Sequence, residues 1–398
     1  MKLRETFLFT TLVVLFSVVM GACGADPTAT PRPTNTPVPA EDPTPTPTPE
    51  RPAWEIVWEK TLAAANEEGK VVVTSCGGAG RRTAMTGDGS FEELYPGITL
   101  EHTPFNSRDL WPKVVKEATL GQYNFDIRIG GADTTTFNAM YNNNSHAEIV
   151  RDEWFILPEV RDPEAWRGGM DFGWLDTGKK YAFTIPLSLS AGDSFWVNRD
   201  LISKEELSSV KQLSDPKWKG KIVSLSSEGG AAQNTMMLQM LGFGEPWLLE
   251  FLKNEPIILR DHRAQIEGLV RGQYAIATTL DTRMLRTLKG KGLDTSNIEA
   301  LDQEIPSLSN ACESLQLHSN MPHPNAAKIY VNWLLSQKQQ QVFNDSIPSN
   351  SRRLDVTPGV PGLLPSDEDL KTVALSQDEG MNPQRNRFVE LVQGVLIK

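Results

Sequence analysis

Residues 68–82 read EGKVVVTSCGGAGRR, and this stretch decides the fold class. A helical pattern over residues 53–68 stops at Gly69, and the apolar run at 71–73 is typical of a strand buried on both faces. The glycines that follow permit a tight turn, after which a helix extends to about residue 94. A strand that passes through a glycine-rich turn into a helix is the opening unit of an α/β sheet.

The chain repeats this order on both sides of its midpoint. Residues 98–105 and 125–129 alternate or cluster apolar side chains as strands do, and residues 108–120 between them have a helical pattern. Strand and helix alternate again over residues 222–288, without a fixed sequence repeat. The order predicts an α/β sheet with crossover helices, followed by a second lobe of the same kind.

Composition and motifs argue against several classes of function. The 398 residues include 39 Lys and Arg against 50 Asp and Glu, a net charge of −11, which argues against nucleic acid as a partner. Three cysteines are too few for a disulfide scaffold, and the length favours two domains. No zinc-protease, nucleophile-elbow or P-loop motif is present in the sequence, so we expect neither an enzyme nor a cofactor.

The first 52 residues predict targeting and tethering. Residues 1–22 combine a basic start with an apolar run too short to span a bilayer, and end in small residues before Cys23. This pattern predicts a lipoprotein signal peptide with a lipid on Cys23; an ordinary secretory signal is the alternative. Residues 23–52 form a linker: over 26–52, 10 of 27 residues are Pro and seven are Thr, which favours an extended stalk.

Several segments then carry a more specific resemblance. In chain order they are EGKVVVTS (68–75), FEELYPGI (91–98), PKWKGKI (216–222), RGQYAIA (271–277), PHPNAAK (322–328) and VNWLLS (331–336). Together they resemble the ferric-iron-type family of bacterial extracytoplasmic solute-binding proteins, in the family's order and over about residues 66–343.

The resemblance implies a two-lobed periplasmic-binding-protein-like fold of type II, with a hinge and a ligand cleft between the lobes. The binding domain would be residues 53–398. Lobe 1 would take about 53–185 with 282–345, and lobe 2 about 186–281 with 346–398. The protein would be a monomer that delivers a small-molecule solute to an ABC transporter permease from outside the cytoplasm, held to the membrane by the lipid on Cys23.

Strand-to-helix loops supply the candidate ligand residues, because ligands of open α/β sheets bind beyond the carboxyl ends of strands and at helix N-termini. Plain turn and capping chemistry is the alternative for each loop. For Arg81 the alternative is a solvated surface pair with Arg82. For Asp133 and Asp281 the alternative is a helix cap, and Asp261 beside Arg260 could likewise cap a helix. The predicted ligand-binding residues are Ser75, Cys76, Gly77, Gly78, Arg81, Gly131, Asp133, Ser190, Ser226, Ser227, Gly229, Gly230, Arg260 and Asp281.

The family's iron ligands do not carry over. Its iron binders use an adjacent tyrosine pair, and none of the six tyrosines here has a tyrosine neighbour; residues 278–282, where the pair would fall, read TTLDT. We therefore expect no metal site and a small organic solute or anion as ligand. Ferric binding through atypical ligands and a solute-sensing surface lipoprotein are the alternatives.

Two cysteines remain once Cys23 carries a lipid. Cys76 and Cys312 both lie near strand ends that the resembled family places in the first lobe. Outside the cytoplasm such a pair can form a disulfide, and two separate thiols are the alternative.

Overall fold

The computed structural model describes residues 51–398, except for residues 78, 191–193, 228–229, 281–284, 286–287, 303, 348 and 397–398. The predicted signal peptide, Cys23 and residues 23–50 of the predicted linker lie outside the described residues and stay predictions. Residues 51–398 form one compact unit. Among the described helices, none is long and apolar enough to cross a membrane.

Helices alternate with the strands along the chain. Those of the first half are α1 (Ala53–Glu68), α2 (Ala79–Thr86), α3 (Ser90–Leu94), α4 (Ser107–Ala118), α5 (Thr134–Asn142), α6 (Arg151–Trp154) and α7 (Pro158–Arg161). Those that follow are α8 (Gly230–Phe243), α9 (Glu245–Lys253), α10 (His262–Val270), α11 (Pro324–Leu335), α12 (Gln337–Ser346), α13 (Asp369–Thr372) and α14 (Asn382–Leu396). The helix predicted over 53–68 is confirmed as α1, and Gly69 ends it with a φ of 74°.

The strands are short. They are β1 (Lys70–Ser75), β2 (Thr99–Pro104), β3 (Ile127–Gly130), β4 (His146–Ala147), β5 (Phe183–Thr184), β6 (Ser188–Ser190), β7 (Phe195–Asn198), β8 (Ile222–Leu225), β9 (Ile257–Leu259), β10 (Ile276–Thr278), β11 (Ile298–Ala300), β12 (Ser307–Ser309) and β13 (Ser314–His318). They form two larger sheets and one two-stranded sheet.

The first sheet has the order β2-β1-β3-β13-β4, and β5 also pairs with β13. Strands β1, β2 and β3 are parallel, whereas β13 runs antiparallel to β3, β4 and β5. The predicted valine run is buried in β1. Helix α11 packs against both α1 and β1. Its Tyr330 and Trp333 meet Phe91 edge-on in the core of this lobe.

The second sheet has the order β11-β7-β10-β8-β9. Strands β8, β9 and β10 are parallel, and β7 runs antiparallel to β10 and β11. The second core gathers Phe195, Ile222, Ile276 and Phe251, and Phe388 of the C-terminal helix α14 completes it. Each large sheet has hydrophobic clusters of its own, which confirms the predicted two-lobed α/β fold.

Three passages of chain join the two lobes side by side. Strands β6 and β12 pair antiparallel, with Ser190 opposite Ser307. The third passage lies next to β12: Leu308 N donates to Ala374 O at 2.8 Å, and Ser376 N donates to Leu308 O at 2.9 Å. These crossovers are the predicted hinge region.

The lobe boundaries differ in detail from the predicted ones. Strand β11 pairs within the second sheet, whereas the sequence predicts a return to the first lobe at about residue 282. Arg352 donates to Thr184 O, and Arg353 to Leu335 O, so this part of the range 346–398 packs on the first lobe. Pairing across a sheet joins residues far apart in the chain, which local patterns cannot reveal.

Candidate functional site

Both large sheets turn the carboxyl ends of their parallel strands toward the crossovers. Strands β3 and β5 end at the same edge of the first sheet, where β13 begins, because β13 runs antiparallel to both. Strands β8 and β10 end at the edge of the second sheet where β7 begins. At the first sheet, β5 leads into β6 and β12 leads into β13; at the second sheet, β6 leads into β7. Both carboxyl-terminal edges therefore adjoin the hinge. This is where open α/β sheets bind ligands.

The loop after β1 is held by internal contacts. Ser75 is fully buried, its Oγ donates to Cys76 O at 3.0 Å, and the same Oγ lies 2.8 Å from His102 Nε2. Gly77 is exposed, and Gly78 lies outside the described residues. Of the predicted ligand residues in this loop, Gly77 is therefore exposed although its carbonyl accepts a hydrogen bond from Arg81, whereas the Ser75 hydroxyl is engaged within the lobe.

A disulfide joins Cys76 to Cys312 across 236 residues of sequence, with the two Cα atoms 6.6 Å apart. Of the two alternatives open for this pair, the structure has the bonded one. The bond ties the loop after β1 to the turn at 310–313 that enters β13. Two segments that are distant in the chain thereby form one rim at the edge of the first sheet.

Arg81 is buried, with only 5% of its surface exposed, so its interpretation as a solvated surface residue is wrong. Its Nε forms an ion pair with the buried carboxylate of Glu313, and its other nitrogens donate to Gly77 O and Ala311 O. The neighbouring Arg82 is exposed. Arg81 therefore braces the same rim as the disulfide.

The loop after β3 contacts the N-terminus of α5 and the third crossover. Asp133 caps α5, accepting from Thr136 N at 2.9 Å, and so takes the capping role that was one of its two alternatives. Ala132 N donates to Gln377 Oε1 at 2.7 Å, and a Cβ on Gly131 would come within 2.7 Å of the same oxygen. The third crossover thus closes directly on this loop.

In the second lobe the predicted residues spread along one edge. Ser226 and Ser227 are half-buried between β8 and α8, which begins at Gly230 with a φ of 70°. Asp261 caps α10, accepting from Ala264 N at 2.6 Å, and Arg260 beside it is exposed. Ser190 lies in the hinge strand β6. Gly229 and Asp281 lie outside the described residues.

Two buried arginines, one in each lobe, were not predicted. Arg128 donates from Nη1 to Phe105 O at 3.0 Å, its Nη2 lies 3.5 Å from Cys76 Sγ, and burial lowers its pKa to about 10. Its signal was visible as a cation between the isoleucines of β3. Arg385, on α14, donates from Nε to Asn234 Oδ1 at 2.8 Å, and burial lowers its pKa to about 10. No local pattern marks that contact.

No three His, Cys, Asp or Glu side chains gather closely enough to hold a metal ion among the described residues. His146 and His318 of the first lobe are instead buried in the core. The His146 ring lies 4.3 Å from that of Trp111, centroid to centroid, and its Nε2 is 3.1 Å from Gln316 Oε1. Burial lowers the pKa of His146 to about 4, and burial lowers the pKa of His318 well below its ordinary value.

The lowered pKa values of His146 and His318 predict that the free energy of unfolding decreases in acid. Unfolded imidazoles take up protons below about pH 6.5, whereas the folded His146 does so only near pH 4. Stability is therefore complete above about pH 6.5 and falls as the pH drops, by roughly 2 kcal/mol at pH 5 for His146 alone. Urea unfolding at pH 7 and pH 5 measures this loss. His146→Gln should reduce the difference, and the exposed His262→Gln should leave it unchanged; an undiminished difference in His146→Gln would contradict the assignment.

The fold is shared with solved binding proteins. Iron-bound HitA from Pseudomonas aeruginosa superposes with a TM-score of 0.60 at 15% identity, covering 82% of this chain and 99% of that one. FutA (IdiA) from Trichodesmium, solved with iron and citrate, gives 0.58 at 16% identity, covering 83% and 100%. The spermidine/putrescine protein PotD from Streptococcus pneumoniae gives 0.57 at 14% identity, covering 82% and 99%.

The architecture is therefore that of the two-lobed periplasmic binding proteins. No protein-family model and no curated protein matches the sequence.

Proposed function

We propose that this protein is an extracytoplasmic substrate-binding protein, anchored by a lipid on Cys23, that captures a small organic solute or anion between its lobes and delivers it to an ABC importer. One observation carries the proposal: the carboxyl-terminal edges of both sheets adjoin the three crossovers. Contacts from two lobes to one solute exist together only when the lobes are closed, so binding favours closure.

The fold alone does not select the solute. Proteins with this architecture include one solved with iron, one with iron and citrate, and one named for polyamines. The adjacent tyrosines that carry ferric ion in the resembled family are absent from the sequence. This difference favours an organic solute over bare ferric ion.

The test is a ligand screen on the purified protein by thermal unfolding and titration calorimetry. The probes are ferric chloride, ferric citrate, thiamine, spermidine, 2-aminoethylphosphonate and a set of small carboxylates. A solute at 100 times its Kd adds about 2.7 kcal/mol to the free energy of unfolding, which a melting curve resolves. Saturable binding of one organic solute supports the proposal.

Three other outcomes would contradict it. Binding of ferric ion alone would favour the ferric alternative with atypical ligands. Turnover of a bound solute would show that the protein is an enzyme. Uptake of the bound solute is compared between cells with and without this protein. Binding with no difference in uptake would favour the sensing lipoprotein. The anchor is tested separately, because Cys23→Ser should release the protein from membranes.

A further inference from the structure

Asn310 is a fully buried side chain at the end of the second crossover. Neither its Nδ2 nor its Oδ1 has a hydrogen-bond partner among the described residues. A buried amide left unpaired costs about 1–3 kcal/mol per polar group, so folded proteins rarely retain one without a use. Such an amide offers an NH2 group that donates and a carbonyl oxygen that accepts, side by side, to a bound molecule.

The position of Asn310 connects it to the candidate site. It directly follows β12, and the turn it begins contains two residues in the left-handed region, Ala311 at a φ of 52° and Cys312 at 76°. Arg81 binds the carbonyl of Ala311, and the disulfide binds Cys312 to Cys76. The turn is thus fixed against the loop after β1, at the carboxyl-terminal edge of the first sheet.

The second lobe has further buried amide side chains, in α8. Gln233 and Asn234 are almost completely buried in the first turns of this helix, and neither Gln233 Oε1 nor Asn234 Nδ2 has a partner within the described part of the chain. The Oδ1 atom of Asn234 accepts from the buried guanidinium of Arg385. The positive end of the helix dipole and this guanidinium both favour negative charge nearby.

We infer that Asn310 contacts the solute directly, and that the solute carries a carboxylate with a hydroxyl or amino group beside it. This inference rests on the proposed function. The amide nitrogen of Asn310 donates to the carboxylate, and its oxygen accepts from the neighbouring hydroxyl or amine.

The experiment is titration calorimetry of the purified protein with hydroxycarboxylates and amino acids of two to six carbons, and with spermidine. The wild-type protein should bind at least one of the carboxylates. Asn310→Ala should weaken that binding at least tenfold, and Asn310→Asp should weaken it further by repelling the carboxylate. The melting temperature of Asn310→Ala without solute should be unchanged or raised, because the variant removes an unpaired amide.

Asn332 provides the matched control. It is equally buried in the first lobe, but its Nδ2 donates to Trp154 O and Lys328 O, and its Oδ1 accepts from Ile156 N and Leu157 N. Asn332→Ala should therefore lower the melting temperature and leave the affinity of the folded fraction unchanged. This contrast separates a structural asparagine from one that serves the solute.

Failure of this inference can be distinguished from failure of the proposed function. Unchanged affinity in Asn310→Ala and Asn310→Asp, with a wild type that binds a carboxylate, would overturn the inference and leave the proposed function standing. Binding of spermidine and of none of the carboxylates would overturn the solute class. Binding of neither would also overturn that class, whereas the proposed function is decided by the broader ligand screen.

Discussion

Replacing Arg81 by methionine lowers the free energy of unfolding by about 3–5 kcal/mol, because it removes the cation from a buried ion pair. The carboxylate of Glu313 is completely buried and forms its ion pair with Arg81 Nε. Without that charge, the desolvation cost of the carboxylate remains while its attraction to the guanidinium is lost. Equilibrium unfolding in urea measures the change.

Two further variants make this prediction specific. The double variant Arg81→Met/Glu313→Leu should recover much of the loss, because it replaces the ion pair by apolar side chains of similar size. Arg82→Met is the matched control, since Arg82 is the adjacent arginine and is exposed; it should change stability by less than about 0.5 kcal/mol. Equal effects of Arg81→Met and Arg82→Met would refute the assigned role of the buried pair.

Removing the Cys76–Cys312 disulfide has the second largest expected effect. The bond closes a loop with a sequence separation of 236 residues. Loop-closure entropy grows with loop length, so we expect a loss toward the upper end of the roughly 2–5 kcal/mol range for native disulfides. Thermal unfolding of Cys76→Ser, with and without reductant, measures it.

The variants should also behave as one unit. Cys76→Ser, Cys312→Ser and the double variant should be destabilised about equally, and a reductant should have little further effect on any of them, because each lacks the same bond. In the wild-type protein a reductant should reproduce the loss. Clearly additive effects of the two single variants would show that each thiol contributes through packing rather than through the bond.

Most of the first lobe could be predicted because its signals are local. The glycine after α1, the buried valine run of β1 and the turn that follows occupy consecutive residues, and each depends on intrinsic backbone and burial preferences. The same logic predicted that the loops after β1, β3 and β8 lie at the carboxyl ends of strands, where candidate ligand residues are expected. Capping by Asp133 and Asp261 was also among the local alternatives.

The role of each side chain at that edge was less predictable. For Arg81 the sequence left two interpretations open, a ligand contact and a solvated surface pair with Arg82, and neither includes the buried ion pair that the structure shows. The burial of Arg81 depends on Glu313, which is 232 positions away in the sequence. Asn310 carried no pattern at all, since its unpaired amide becomes visible only after every neighbouring hydrogen bond has been assigned.

The sequence by itself determined the α/β class, the two lobes and the strand-to-helix loops, because hydrophobic periodicity and glycine positions act over a few residues. Only the tertiary structure decided which lobe β11 joins, which carboxylate pairs with Arg81, and which buried polar atoms remain without partners. These outcomes depend on contacts between residues up to hundreds of positions apart. Such contacts form only when both sheets and their crossovers have folded.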